Sequence, residues 1–151
     1  RAYGVAVAGE HAYLAVGALG EIGARDEGVL PALVAALRHA DPDVRRRAAR
    51  EVGDFGPAAV EPLRALLPTP DADVRRSAVE ALGHIGVDAL PALIEALENE
   101  SPVARRGAAR ALGRLGPEAR PAVPALVTAL GDRDPAVREA IGRALKAIRG
   151  E

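Results

Sequence analysis

One stretch of sixteen residues is written four times, and a chain built this way has few folds open to it. "DPDVRRRAAREVGDFG" from Asp41, "DADVRRSAVEALGHIG" from Asp71, "SPVARRGAARALGRLG" from Ser101 and "DPAVREAIGRALKAIR" from Asp134 align without gaps, their starts 30, 30 and 33 residues apart. A partial copy, "LGEIG" at Leu19–Gly23, falls 33 residues before "VGDFG" at Val52–Gly56. Ahead of each full copy stands a shorter apolar stretch: "VLPALVAAL", "VEPLRALL", "LPALIEAL" and "VPALVTAL". Self-similarity at this period marks an array of supersecondary units.

Each unit reads as a pair of helices. Leu30, Leu33, Val34 and Leu37 are spaced for one helical face, as are Leu90, Leu93, Ile94, Leu97 and Val123, Leu126, Val127, Leu130. Pro31, Pro62, Pro91 and Pro124 fall where a first turn tolerates proline. In the second helix Val74, Ala78, Leu82 and Ile85 form the stripe, matched by Val44, Ala48, Val52 and Phe55. Asp41, Asp71, Ser101 and Asp134 stand where an N-cap belongs. Gly56, Gly86 and Gly116 stand where a left-handed C-cap belongs. A lone pair of this kind leaves one apolar face uncovered, so the units must stack into a solenoid. In the last copy Lys146 and Arg149 replace two glycines of the earlier copies, which predicts a charged capping surface and an array that ends near Gly150.

Composition narrows the function classes. At 151 residues, 49% hydrophobic and 27% charged, the chain is of globular type, with no apolar run long enough for a membrane span and no signal-peptide pattern. With no cysteine there are no disulfides, thiolate metal sites or cysteine nucleophiles, which fits a cytoplasmic location. The chain begins at Arg1 and contains no methionine, as expected of a fragment of a larger protein. A net charge of −1 offers no general attraction to nucleic acid.

The pattern carried by Asp71, Asp73, Val74, Arg75, Ala78, Ala81, Leu82, Gly83, Ile85 and Gly86 resembles the HEAT-like repeat of the phycobilisome-lyase type, common in bacterial proteins. The resemblance covers about residues 17 to 149. It implies an all-α fold: a right-handed α-solenoid of four full helix pairs after an N-terminal half repeat. First helices would lie on the convex side and second helices on the concave side. The organisation expected is an edge segment over 1–16 and one repeat array over 17–151. Scaffolds, chromophore lyases, DNA glycosylases and a di-iron hydroxylase all use such repeats, so function has to come from the residues.

Few residues here suit catalysis. The hydroxylase branch uses His-Glu dipeptides as iron ligands, and His11, His39 and His84 precede no glutamate, so no metal is expected and they read as surface residues. The glycosylase branch needs tryptophan and other aromatics, and this chain has only Tyr3, Tyr13 and Phe55. Ser77 and Ser101 have no local histidine. The glycines recur at helix-end spacing rather than as a phosphate loop. No cofactor and no enzymatic activity are expected.

The arginines are the candidate functional residues. Arg45, Arg75, Arg105 and Arg138 share one repeat position and suit a ladder between turns, with Asp43 and Asp73 as acceptors. The next position opens an outward row on each second helix: Arg46, Arg50, Asp54; Arg76, Glu80, His84; Arg106, Arg110, Arg114; Glu139, Arg143, Ala147. The second-helix windows (44–56, 74–86, 104–116, 137–151) hold 14 basic and 5 acidic residues, +9, and the remainder 6 and 16, −10. Arg46, Arg50, Arg76, Arg106, Arg110, Arg114 and Arg143 are therefore the candidate partner-binding set. Solvated helix surface is the plainer account of the same residues.

Three functions emerge as expectations. The first is a monomeric, non-catalytic scaffold module that binds an acidic protein or peptide segment on its concave face. The second is a nucleic-acid binder using the same arginines on phosphates, disfavoured by the missing aromatics. The third, resting on the family resemblance alone, is a bilin lyase subunit.

The N-terminus supports two readings. Repeat register places a second helix over His11 to Ile22, with Ala15, Ala18, Leu19 and Ile22 on its stripe. Against this, "YGVAVAGEHAYLAV" at residues 3–16 resembles the strand-turn-strand unit of LVIVD-type β-propeller repeats, with Gly9-Glu10 as the turn.

Overall fold

A computed structural model describes residues 9–150. Among them are nine α-helices: α1 (Gly9–Ile22), α2 (Val29–Ala36), α3 (Pro42–Gly53), α4 (Val60–Arg64), α5 (Ala72–Ile85), α6 (Leu90–Ala96), α7 (Pro102–Leu115), α8 (Val123–Ala129) and α9 (Pro135–Arg149). The pairs α2/α3, α4/α5, α6/α7 and α8/α9 are the four repeats, and α1 is the half repeat before them. The chain is an α-solenoid.

Local chemistry sets the helix boundaries. Asp41, Asp71 and Asp134 have extended backbones, and each side chain accepts from a backbone N–H two residues on, at 2.8, 2.9 and 2.8 Å. Ser101 holds the same place without a side-chain cap bond; the serine is buried instead. The expected left-handed caps also differ in kind. Gly86 and Gly116 have φ/ψ of 87/−136° and 57/−135°, the mirror image of extended backbone, which glycine alone enters at little cost. This turns the chain directly into a short 3-10 segment leading to the next first helix. The left-handed helical cap is found at Gly150, at 78/30°.

Leu33, Leu63, Leu93 and Leu126, one from each first helix, are fully buried against Val44, Ala78, Leu82, Leu112 and Ile141 of the second helices. Consecutive second helices pack directly on one another, while the first helices make no comparable contact among themselves. The second helices thus form the closely packed layer of the array. Glycine permits that approach. A Cβ on Gly53 would lie 2.5 Å from the Cβ of His84, and one on Gly113 would lie 3.1 Å from the Cα of Ala144. Lys146, at the equivalent place on α9, is exposed among the described residues, as is Arg149.

At the other end α1 is helical from Gly9, so the strand-turn-strand reading is overturned for residues 9–16; residues 1–8 lie outside those described. The expected stripe is rotated. Ala12, Val16 and Leu19 are buried, whereas Ala18 and Ile22 are exposed and Ala15 is half-buried. α1 packs chiefly on α3 and α2, and the side a preceding helix pair would cover is open among the described residues. The stretch Ala72–Ala96 has the length and apolar content of a membrane span. It is two helices, however, broken at Gly86 and packed on each other.

Candidate functional site

The arginine ladder holds loops in place. Arg45 Nη1 donates to the carbonyls of His39 and Ala40, both at 2.7 Å, and Arg75 Nη1 to that of Thr69 at 2.6 Å. Arg105 Nη1 reaches Asn99 O and Glu100 O at 2.8 and 3.0 Å, and Arg138 Nη1 reaches Asp132 O and Arg133 O at 2.7 and 3.1 Å. Each guanidinium thus ties down carbonyls of the loop before its own helix. The predicted carboxylate acceptors are half right. Asp73 lies 3.5 Å from Arg45, but Asp43 pairs with Arg46 of its own helix.

The strongest acceptor is Asp132, which sequence reasoning missed. Arg105 binds it in a fork, Nε to Oδ2 at 2.6 Å and Nη2 to Oδ1 at 2.9 Å, with the Asp132 side chain 8% exposed. The Arg105 hydrogen bond holds the Asp132 carboxyl below its ordinary range against the opposing effect of burial. One signal could have found it. Asp132 shares a repeat position with His39, Thr69 and Asn99, two residues before the N-cap. His39 Nδ1, Asn99 Oδ1 and Asp132 Oδ1 each accept the N-cap residue's backbone N–H, at 3.0, 3.0 and 2.8 Å. His39 is thus a loop-building residue rather than idle surface. At Arg75 the corresponding neighbour is Asn99, which donates to Leu67 O at 2.9 Å, and Arg75 Nε is buried without an acceptor.

All seven candidate arginines are exposed on the second-helix layer, and they divide in two. Arg46 is paired with Asp43, Arg76 with Asp73 at 2.8 Å, and Arg143 with Glu139 at 2.5 Å. Arg50, Arg106, Arg110 and Arg114 form no ion pair or side-chain hydrogen bond among the described residues. Three of these four stand one turn apart on α7. They wall a groove of about 580 Å³ between α7 and α9, floored by Ala109, Gly113, Ala140 and Ala144. A smaller recess of about 230 Å³ on the other side of α7 shares the same arginines.

Toward the N-terminal end the face changes character. Arg47 stacks over the Tyr13 ring, 4.4 Å from its centroid, and pairs with Glu51. His84 fills the space left by Gly53, and its pKa is lowered by burial first; Arg114 and Arg50 push the same way, Glu80 and Asp54 the other. No three His, Asp or Glu side chains gather as a metal site among the described residues. Ser77 donates to the Asp73 carbonyl at 2.9 Å within its own helix, an ordinary structural bond.

The chain is similar to solved solenoids along nearly its whole length. One is the complex of CpcE and CpcF of phycocyanin lyase from Nostoc sp. PCC7120, 27% identical over 97% of this chain with a TM-score of 0.60; the match spans 63% of that chain, under two thirds. Another is a designed armadillo repeat protein in complex with the peptide (KR)4, 20% identical over 95% of this chain and 78% of that one, TM-score 0.53. A further engineered protein is 24% identical, with 97% and 78% covered and a TM-score of 0.54. At these identities the two engineered proteins speak to fold alone. No curated protein matches the chain. The model for HEAT repeats matches residues 8–83, 30–102 and 90–151, in keeping with helix pairs that repeat every 30 to 33 residues, and the chain belongs to the HEAT-repeat family.

Proposed function

We propose that this is a non-catalytic interaction module whose concave arginine face binds an acidic segment of a partner protein. One observation carries the reading: Arg50, Arg106, Arg110 and Arg114, exposed on the second-helix layer, have no internal acceptor among the described residues, while Arg45, Arg46, Arg75, Arg76, Arg105, Arg138 and Arg143 are hydrogen-bonded. An exposed guanidinium without an internal partner has no competing carboxylate to give up, and it offers a planar fork to an incoming one. The module acts as a monomer in the cytoplasm.

The test is anisotropy of a labelled poly-glutamate peptide against wild type and Arg106→Glu/Arg110→Glu/Arg114→Glu. Wild-type binding should weaken with salt, and the triple variant should lose it with an unchanged helical spectrum. Absence of wild-type binding at low salt would overturn the reading.

The likeness to the phycocyanin lyase complex favours a second reading, a bilin lyase subunit. Absorbance after mixing with a linear tetrapyrrole decides it, and an unchanged spectrum removes it.

A further inference from the structure

An acidic segment bound to the concave face could lie at several places along it and take more than one shape. Building on the acidic-segment reading, we infer that the site is the α7–α9 groove, and that it takes a short extended segment with acidic residues at alternate positions, D/E-x-D/E-x-D/E.

Place is decided by pairing. The outward rows of α3 and α5 begin with Arg46 and Arg76, both held by an aspartate three residues earlier, and include Asp54 and Glu80. A carboxylate arriving there competes with one already bound. Along α7 the row is Arg106, Arg110, Arg114, all exposed and all without an acceptor among the described residues. On the opposite wall Glu139 holds Arg143, so that side repels carboxylates near the start of α9 and they settle against α7.

Shape is decided by spacing. Residues four apart on a helix rise about 6 Å, so the three arginines offer anchor points at about 0, 6 and 12 Å. Side chains on one face of an extended chain recur about every 6.6 Å, which keeps three alternate carboxylates in reach of three flexible guanidinium groups. A docked helix could match the same rise but has an outer diameter of about 10–12 Å. Neighbouring helix axes are only about 8–10 Å apart, and the walls here are long arginines, so a helix would ride above the groove. An extended chain, which occupies about 4.8 Å between strands, fits within it. The floor agrees. Ala109, Gly113, Ala140 and Ala144 carry nothing beyond a Cβ, leaving room for a main chain to descend to the level of the guanidinium groups. No aromatic residue lines the groove, so a nucleic-acid strand would find phosphate contacts without a surface for its bases.

Three nine-residue peptides of one composition test this: GGEGEGEGG, GGGEEEGGG and EGGGEGGGE, titrated into the 151-residue chain at low salt. Extended, the first presents three carboxylates to α7 and the other two present only two. It should bind about tenfold more tightly than either, the effect of one charge-assisted contact. Arg110→Ala should erase that preference, and Arg50→Ala should leave it intact. Equal affinity for the three peptides, or equal sensitivity to Arg50→Ala, overturns the inference while the acidic-segment reading stands. A single-stranded oligonucleotide of nine bases binding more tightly than the first peptide also overturns it. If no peptide binds, and poly-glutamate does not either, the parent reading fails with it.

Discussion

Arg105 uses four of its five N–H donors, two on the Asp132 carboxylate and two on loop carbonyls. Its recurrence at one repeat position was legible as a ladder, and its acceptors were not. Backbone carbonyls leave no mark in a sequence, and Asp132 stands in a column otherwise filled by His39, Thr69 and Asn99. The same limit applied to the partner-binding set, where the column of exposed arginines could be read but the capture of Arg46 by Asp43 needed coordinates. Asp132→Asn keeps an oxygen for the Asp134 N–H but removes the charge from the fork. At neutral pH it should cost about 2 kcal/mol, the scale of hydrogen bonds to charged groups. The pH dependence has a definite sign. Asp132 has a folded-state pKa below its unfolded one, so its contribution is present above the unfolded value and is lost as pH falls through the lower, folded value. Urea unfolding of the two proteins should therefore differ at pH 7 and converge in strong acid.

Between helices the deciding residues are those with no side chain. The glycines at Gly53, Gly83 and Gly113 were readable as a contact surface, because they recur at one repeat position. The rotation of α1 was not readable, because register assumes a preceding helix pair and none covers α1 among the described residues. Position alone should then separate two glycine substitutions of the same kind. In Gly113→Ala the new methyl meets the Ala144 backbone at 3.1 Å, which a packed helix relieves only by moving, at a cost of about 1–3 kcal/mol. In Gly142→Ala the methyl meets nothing within 4 Å, and alanine within α9 should stabilise by about 0.5–1 kcal/mol. Thermal melts of the two variants should move in opposite directions. A fall for both would mean that α9 is packed on the side where the structure leaves it open.

Across the whole molecule the two ends are unlike, and in a one-dimensional array this matters more than it would in a compact domain. Each repeat is stabilised by its neighbours, so a terminal helix has half the support of an interior one and meets solvent with its stacking side. α9 presents Lys146 and Arg149 there. On α1, Leu14 is 61% exposed and Ile22 37%. These apolar side chains gain little from folding where they stand, and they attract any other apolar surface in solution. Leu14→Glu should therefore leave the melting temperature close to wild type, since exposed positions change stability by about 0.5 kcal/mol or less. It should also lower the concentration dependence of light scattering. Val16→Glu, two residues on, is the contrast: Val16 is fully buried, and a carboxylate there has no partner to offset its desolvation. That variant should melt well below wild type and scatter more. If Leu14→Glu destabilised the chain as Val16→Glu does, α1 would have to be rotated from the orientation described, with its Leu14 side packed on the array.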